Sequence, residues 1–236
     1  MDDPLLPVDE HLAALKGLAR LNRFTCVASA LYRRLRKQAV SLRRPIRVLD
    51  VATGSGDMPI YWAKRARSDG LSIHCTGLDI SATATKFAQA QALQSGTDVE
   101  FLQRDVLADR LPTGFDVIVC GLFIHHLTPS QISRLLQSMQ AAAGHAVVVC
   151  DLERSRINLA LVSAAAHGLT RSRIVHGDAA KSVRAALTRD EFREIAEAAL
   201  DRPVRVESLP PCRFIATIEE AVVRAPDALL AGIQTT

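Results

Sequence analysis

Val48-Leu49-Asp50-Val51-Ala52-Thr53-Gly54-Ser55-Gly56-Asp57 joins an apolar run to a glycine turn. The run starts at Ile46 and ends at Val51, the length of a strand, and its near-continuous apolar character fits a strand buried on both faces. Glycine at 54 and 56 lets a backbone approach a ligand where a side chain would block it. Pro59 suits the first turn of a following helix, reaching about Arg67, because its φ is already helical and its missing N–H is not needed there. A tight turn with no ligand is the plainer alternative for the two glycines, so the ends of the later strands have to separate the two readings.

Outward from this unit the pattern repeats. Ser72 to Asp79 reads as a second strand, followed by an alanine-rich helix from Ser81 to about Gln94 with Ser81 as N-cap. Val99 to Gln103, Phe115 to Cys120 and Ala146 to Cys150 are further strands, with a helix over Gln131 to Ala142. Strands alternating with helices imply a parallel sheet covered on both faces. Thr188 and Glu191 form a capping-box pattern that opens a helix to about Leu200. Val204 to Ser208 and Arg213 to Ile218 then flank the Leu209-Pro210-Pro211 turn and are expected to pair antiparallel. The expectation is an α/β fold with a mostly parallel seven-stranded sheet and an antiparallel last strand.

Two additions flank this body. From Val8 to Val40, Leu12, Leu15, Leu18 and Leu21, then Val27, Leu31 and Leu35, keep helical spacing, so residues 1–44 are expected to form an N-terminal helical lid on a domain of residues 45–236. Leu152 to Leu187 is too long for a plain crossover and has helical stretches at Asn158 to His167 and Ala179 to Leu187. Residues 152–187 are therefore expected to be a helical insertion above the carboxyl ends of the strands, where doubly wound sheets bind ligands.

Composition narrows the function classes. Hydrophobic residues make up 48% and charged residues 23%, as in ordinary globular proteins. Met1 to Glu10 carries acids and prolines instead of a basic start and an apolar run, and no apolar stretch approaches the ~20 residues of a membrane span, so a cytoplasmic location without a membrane span is expected. Cys26, Cys75, Cys120, Cys150 and Cys212 contain no C-x-x-C pair and are expected to be free thiols, not metal ligands. The net charge is +4, with bases gathered at Arg33, Arg34, Arg36, Lys37, Arg43, Arg44 and Arg47. That cluster is either a phosphate-binding surface or a solvated helix face, and the scarcity of interleaved aromatic residues favours the second.

Acids stand where a nucleoside would need them. Asp79 ends the second strand, where a carboxylate can accept hydrogen bonds from both ribose hydroxyls, and Asp105 and Val106 follow the third strand, where they could hold an adenine. In this order the motifs resemble class I methyltransferases that use S-adenosylmethionine, over about Ile46 to Asp151. The resemblance implies a Rossmann-like methyltransferase sandwich and cofactor contacts from Asp50, Ala52, Thr53, Gly54, Gly56, Asp57, Asp79, Ile80, Asp105, Val106 and Cys120. Asp57 stands where many members have a third glycine, and the G-x-G-D turn is similar to that of quinone-pathway methyltransferases, as is the region from Asp178 to Leu200. Gly17-Leu18-Ala19-Arg20-Leu21-Asn22-Arg23 and Asp50 to Pro59 further resemble bacterial methyltransferases associated with type III polyketide synthases. NAD would suit Asp79 as well, but Pro59 stands at the third glycine of its fingerprint.

Chemistry would come from the segment after the fourth strand. Gly121-Leu122-Phe123-Ile124-His125-His126-Leu127 places two imidazoles at the carboxyl edge, and histidine is a suitable base for a phenol. Asp151 ends the fifth strand and would either orient His125, with His126 as the reserve base, or cap the following helix with Glu153, in which case the histidines only pack and hydrogen-bond. A small aromatic or polyketide-derived acceptor, methylated on oxygen more readily than on carbon, is the expected substrate of a monomer or homodimer. Two alternatives remain: an RNA-directed methyltransferase using the basic cluster, and a noncatalytic cofactor-binding partner of a biosynthetic synthase. Gly121-Leu122-Phe123-Ile124 stands where enzymes acting on exocyclic base amines usually have an [N/D]-P-P-[Y/F] pattern, which argues against that part of the nucleic-acid reading.

Overall fold

The structure, a computed structural model, describes residues 26–160 and 181–219, with Leu15 and Gly17 besides. The glycine turn lies between β1 (Ile46–Val51) and α2 (Asp57–Ser68), the strand bounds matching the sequence reading to the residue. Around it stand α1 (Val27–Leu42), β2 (Ile73–Asp79), α3 (Ala82–Gln94), β3 (Glu100–Gln103) and β4 (Phe115–Gly121). Then follow α4 (Pro129–Ala142), β5 (Ala143–Leu152), α5 (Arg189–Leu200), β6 (Val206–Leu209) and β7 (Arg213–Glu219). One sheet runs in the order β3-β2-β1-β4-β5-β7-β6. β1 is parallel to β2 and β4, β2 to β3, and β4 to β5, whereas β7 runs antiparallel to both β5 and β6. The strand order therefore reverses between β1 and β4, which opens a crevice at their carboxyl ends.

Local signals account for the ends of these elements. Ser81 caps α3 by accepting from Ala84 N–H at 3.2 Å. Capping boxes open both α4, with Thr128 and Gln131, and α5, with Thr188 and Glu191. β5 is longer than the apolar run 146–150, because pairing with β7 extends it over Asp151 and Leu152.

The two faces of the sheet carry separate cores. Leu135, Leu136 and Met139 of α4 and Phe192 of α5 pack with Leu49, Val149 and Phe214 on one face. On the other, Val27, Leu31 and Leu35 of α1 and Trp62 of α2 pack with Val48, Val119 and Val148. Trp62 Nε1 donates to the Ala28 carbonyl at 2.9 Å and so ties α1 to α2. The second N-terminal helix is thus part of the core that covers the sheet. Val27, Leu31 and Leu35 have no exposed surface, and each such burial contributes about 1.5–3 kcal/mol, so a deletion reaching Ser41 would strip the sheet's face. The helix expected before it lies outside the described residues, Leu15 and Gly17 excepted.

Residues 156–160 and 181–185 of the insertion are helical; residues 161–180, including the rest of the stretch expected up to His167, lie outside the described residues. The ends of the insertion meet: Glu153 bridges Leu187, and Arg154 N–H donates to the Leu187 carbonyl at 3.0 Å. Leu152, Val183 and Ala186 form a small buried cluster beneath it. Cys75, Cys120 and Cys150 are buried free thiols, whereas Cys26 is exposed. Among the described residues no helix is long and apolar enough to cross a membrane.

Candidate functional site

The turn after β1 is held by its own small side chains and by β2. Thr53 N–H donates to the Leu78 carbonyl at 2.8 Å, and Thr53 Oγ1 donates to Asp50 Oδ2 at 2.6 Å. Gly54 N–H donates to Asp79 Oδ2 at 2.8 Å, so the two acids expected near the cofactor are linked through the adjacent turn residues Thr53 and Gly54. Asp79 Oδ1 accepts Ser81 N–H at 2.9 Å. Both carboxylate oxygens are thereby oriented. Ser55 Oγ donates to Asp57 Oδ1 at 2.7 Å, and Asp57 opens α2, where its charge suits the helix dipole.

The two turn glycines serve different purposes. Gly54 has φ +57°, and a Cβ placed there meets nothing within 4 Å. Gly56 has φ +72°, and its Cβ would lie 2.5 Å from Phe101 Cζ and 2.8 Å from Ala88 Cβ. Gly56 is therefore demanded by packing, and Gly54 leaves open space beside a hydrogen-bonded backbone amide. Phe101 was not singled out from the sequence. Gly77 in the middle of β2 was the available signal, since its Cβ would also strike Phe101, at 2.7 Å, and glycine inside a strand marks a close approach.

Burial pushes the Asp50 carboxyl up to about 8, and the charges of Asp57 and Asp79 add to this while the Thr53 hydroxyl opposes it. Ile80 is 63% exposed next to Asp79, an apolar surface left at the rim of the crevice. Arg104 N–H donates to the Asp79 carbonyl at 2.9 Å and brings Asp105 alongside. Asp105 Oδ1 accepts Leu107 N–H at 2.9 Å and shapes the following turn. Val106 and Cys120 are core residues, 7% and 0% exposed, so their side chains serve the fold beneath the site. Ala52 adopts φ +57°, a conformation usually left to glycine.

The turn after β4 is built from side chains. Leu122 N–H donates to the Cys150 carbonyl at 2.8 Å, and Ile124–His126 form one turn of 3₁₀ helix. His125 Nδ1 lies 2.6 Å from Asp151 Oδ1, and His125 N–H donates to Asp151 Oδ2 at 3.1 Å. Asp151 Oδ1 also accepts Leu152 N–H at 2.6 Å. The pair is nearly dry, with side-chain exposures of 6% and 1%. An Nδ1–H donated to the carboxylate leaves the lone pair on Nε2, the tautomer of an oriented base. His126 is exposed, and its ring lies 4.1 Å from that of His125. Val51 of β1 pairs with Cys120 of β4, so the two turns are neighbours on one edge.

The basic cluster is largely occupied within the fold. Arg34 pairs with Glu207 at 2.8 Å, Lys37 with Glu219 at 3.2 Å and Arg44 with Asp116 at 2.6 Å. Arg47 lies over the Phe115 ring, 4.8 Å from its centroid.

Residues 48–143 match the family described as "Methyltransferase domain". A ubiquinone biosynthesis O-methyltransferase of Pseudomonas entomophila is 33% identical over 101 residues, 42% of this chain and 41% of that protein. The chain thus matches about two fifths of the length of this relative. Among solved structures, a SAM-dependent methyltransferase of Aquifex aeolicus is similar with TM-score 0.63 at 17% identity, covering 91% of this chain and 98% of that one. An O-methyltransferase family 2 protein of Planctomyces limnophilus, in complex with apigenin, has TM-score 0.65 at 18% identity, covering 93% and 63%. These structures share the Rossmann-like fold.

Proposed function

We propose that this chain, whose residues 48–143 form a class I S-adenosylmethionine-dependent methyltransferase domain related to quinone-pathway enzymes, methylates the hydroxyl of a small aromatic acceptor. The observation that carries this reading is the buried His125–Asp151 pair, 2.6 Å apart on the strand edge beside an open glycine turn. The residues present fit the cofactor: the open space at Gly54, the exposed Ile80 and the oriented Asp79 carboxylate suit a nucleoside. Asp79 would take the ribose hydroxyls, the turn from Ala52 to Gly56 the amino-acid part, and Asp105 the adenine amine. When bound, S-adenosylmethionine supplies a methyl group on a sulfonium, ready for displacement.

The protein's own task is then positioning and proton transfer. His125 Nε2 accepts the proton of the acceptor hydroxyl, and Asp151 stabilises the resulting imidazolium and keeps its ring in place. The low exposure of the pair strengthens that interaction by excluding water. His126 remains the reserve base. The ion pairs on α1 support the solvated-face reading of the basic cluster over an RNA surface.

Labelled methyl transfer to a panel of phenols and catechols tests the proposal. Incorporation that depends on a free hydroxyl is expected. Binding of NAD without binding of S-adenosylhomocysteine would overturn the cofactor assignment, and incorporation into carbon alone would overturn the acceptor class.

A further inference from the structure

We propose that Arg213 recognises a carboxylate on the methyl acceptor, so that the substrate is a hydroxylated aromatic acid. The inference rests on the O-methylation reading and adds the acceptor's charge. Arg213 opens β7 and pairs with Leu152, the last residue of β5, and with Leu209, the last of β6. It therefore sits on the sheet edge that carries Asp151 and His125, one pair along from Asp151 and Phe214. Directly opposed residues of an antiparallel pair share a face, so Arg213 lies on the side where Leu152 packs with Leu122, Val183 and Ala186.

Among the described residues the guanidinium forms no ion pair. The residue is 4% exposed. Nη1 donates to the Pro211 carbonyl at a long 3.3 Å, and among the described residues Nε has no hydrogen-bond partner. The ion pairs formed among the described residues leave Arg213 out. Asp151 is near enough to act on it through charge, but its oxygens are already bonded to His125 and to Leu152 N–H. Burial lowers the arginine pKa from its ordinary value, and the neighbouring charge of Asp151 opposes the shift without cancelling it.

A buried guanidinium with unused donors is half of a charge-assisted pair, and a carboxylate is the planar anion that completes it. One positive charge balances one carboxylate, whereas a phosphate dianion would call for a second cation; among the described residues of the adjoining segment, the bases Lys181 and Arg184 are exposed. Arg213 is a specificity residue in this scheme, and the proton transfer stays with His125.

The test pairs hydroxybenzoates and hydroxycinnamates with their methyl esters. Calorimetry on the S-adenosylhomocysteine-loaded protein measures binding, and labelled-methyl turnover measures kcat/KM. At least one acid is expected to bind about 10–150-fold more tightly than its ester. Arg213→Gln should lower acid affinity by a similar factor beyond any loss for the ester, and Arg213→Lys should recover part of it. The comparison of acid with ester on the unaltered protein needs no variant, so a poorly folding Arg213→Gln leaves the test in force. Equal binding of acid and ester in every pair, or an equal loss for both in Arg213→Gln, would show that Arg213 only braces the β6–β7 turn. Labelled esters with no preference for acids would overturn the Arg213 inference and leave O-methylation standing. Selective binding of acids without any labelled product would do the reverse.

Discussion

The turns after β1 and β4 lie side by side on one sheet edge, yet they are made from different materials. The first offers a backbone amide and open space, at Gly54, with acids set around it on strand ends. The second offers two side chains, His125 and Asp151, withdrawn almost completely from water. A nucleoside is bound by many modest contacts, which backbone groups and partly exposed acids can supply. Proton transfer needs one imidazole held in one tautomer, which requires a dry carboxylate beside it. Loss of a single group should therefore be graded at the first turn and severe at the second.

The severe case is His125→Ala. Turnover should fall roughly 10²–10⁴-fold with S-adenosylhomocysteine affinity retained, because proton removal matters only in the transition state. Asp151→Asn should give a smaller loss of turnover. If His126→Ala is the damaging change and His125→Ala is not, the base is the exposed ring and the contrast between the turns disappears.

Within the first turn, the two glycines should respond unequally. Gly56→Ala forces a methyl against Phe101 and Ala88 at a positive φ and should cost roughly 2–5 kcal/mol of stability in urea unfolding of the free protein. Gly54→Ala has only its φ of +57° to overcome, which amounts to about 1–2 kcal/mol, and should instead weaken cofactor binding. Equal stability losses would mean that Phe101 yields and that packing does not fix the turn.

Asp79→Ala should weaken S-adenosylhomocysteine by about 1–3 kcal/mol, measured by calorimetry, since ribose hydroxyls would lose their acceptor. An unchanged affinity would move the nucleoside away from β2.

The free protein should also show a pH dependence of its stability. The Asp50 carboxyl is raised in the fold to about 8 from an ordinary 3.8, so the native state holds its proton more tightly than the unfolded chain. Its contribution to stability is complete below about pH 4 and is lost as pH rises toward about 8, after which no further loss is expected. The melting temperature of Asp50→Asn should be less sensitive to pH over that interval, and an equally steep profile would exclude Asp50 as the cause.

Periodicity, caps and glycine turns were enough to place β1, α3 and α5, because each is specified by neighbours a few residues away: the apolar run ending at Val51, Ser81 before Ala84, Thr188 before Glu191. The same local signals put Asp50, Gly54 and Asp79 at or just beyond strand ends and left pairing of His125 with Asp151 as one of two readings of that acid. Three things were beyond them. Helix α1 reads as an amphipathic preface and proves to be core, since nothing local says which surface Leu31 and Leu35 will meet. Phe101 fixes Gly56 and Gly77 from another strand, a clash visible only once β2 and β3 pair. Arg213 looks like the first residue of a strand, and only the pairing of β7 with β5 buries it one pair along from Asp151. Backbone conformation follows short-range sterics and hydrogen bonds, which the sequence carries in place. Burial and charge environment depend on residues brought together from distant parts of the chain, and those were settled by the tertiary structure.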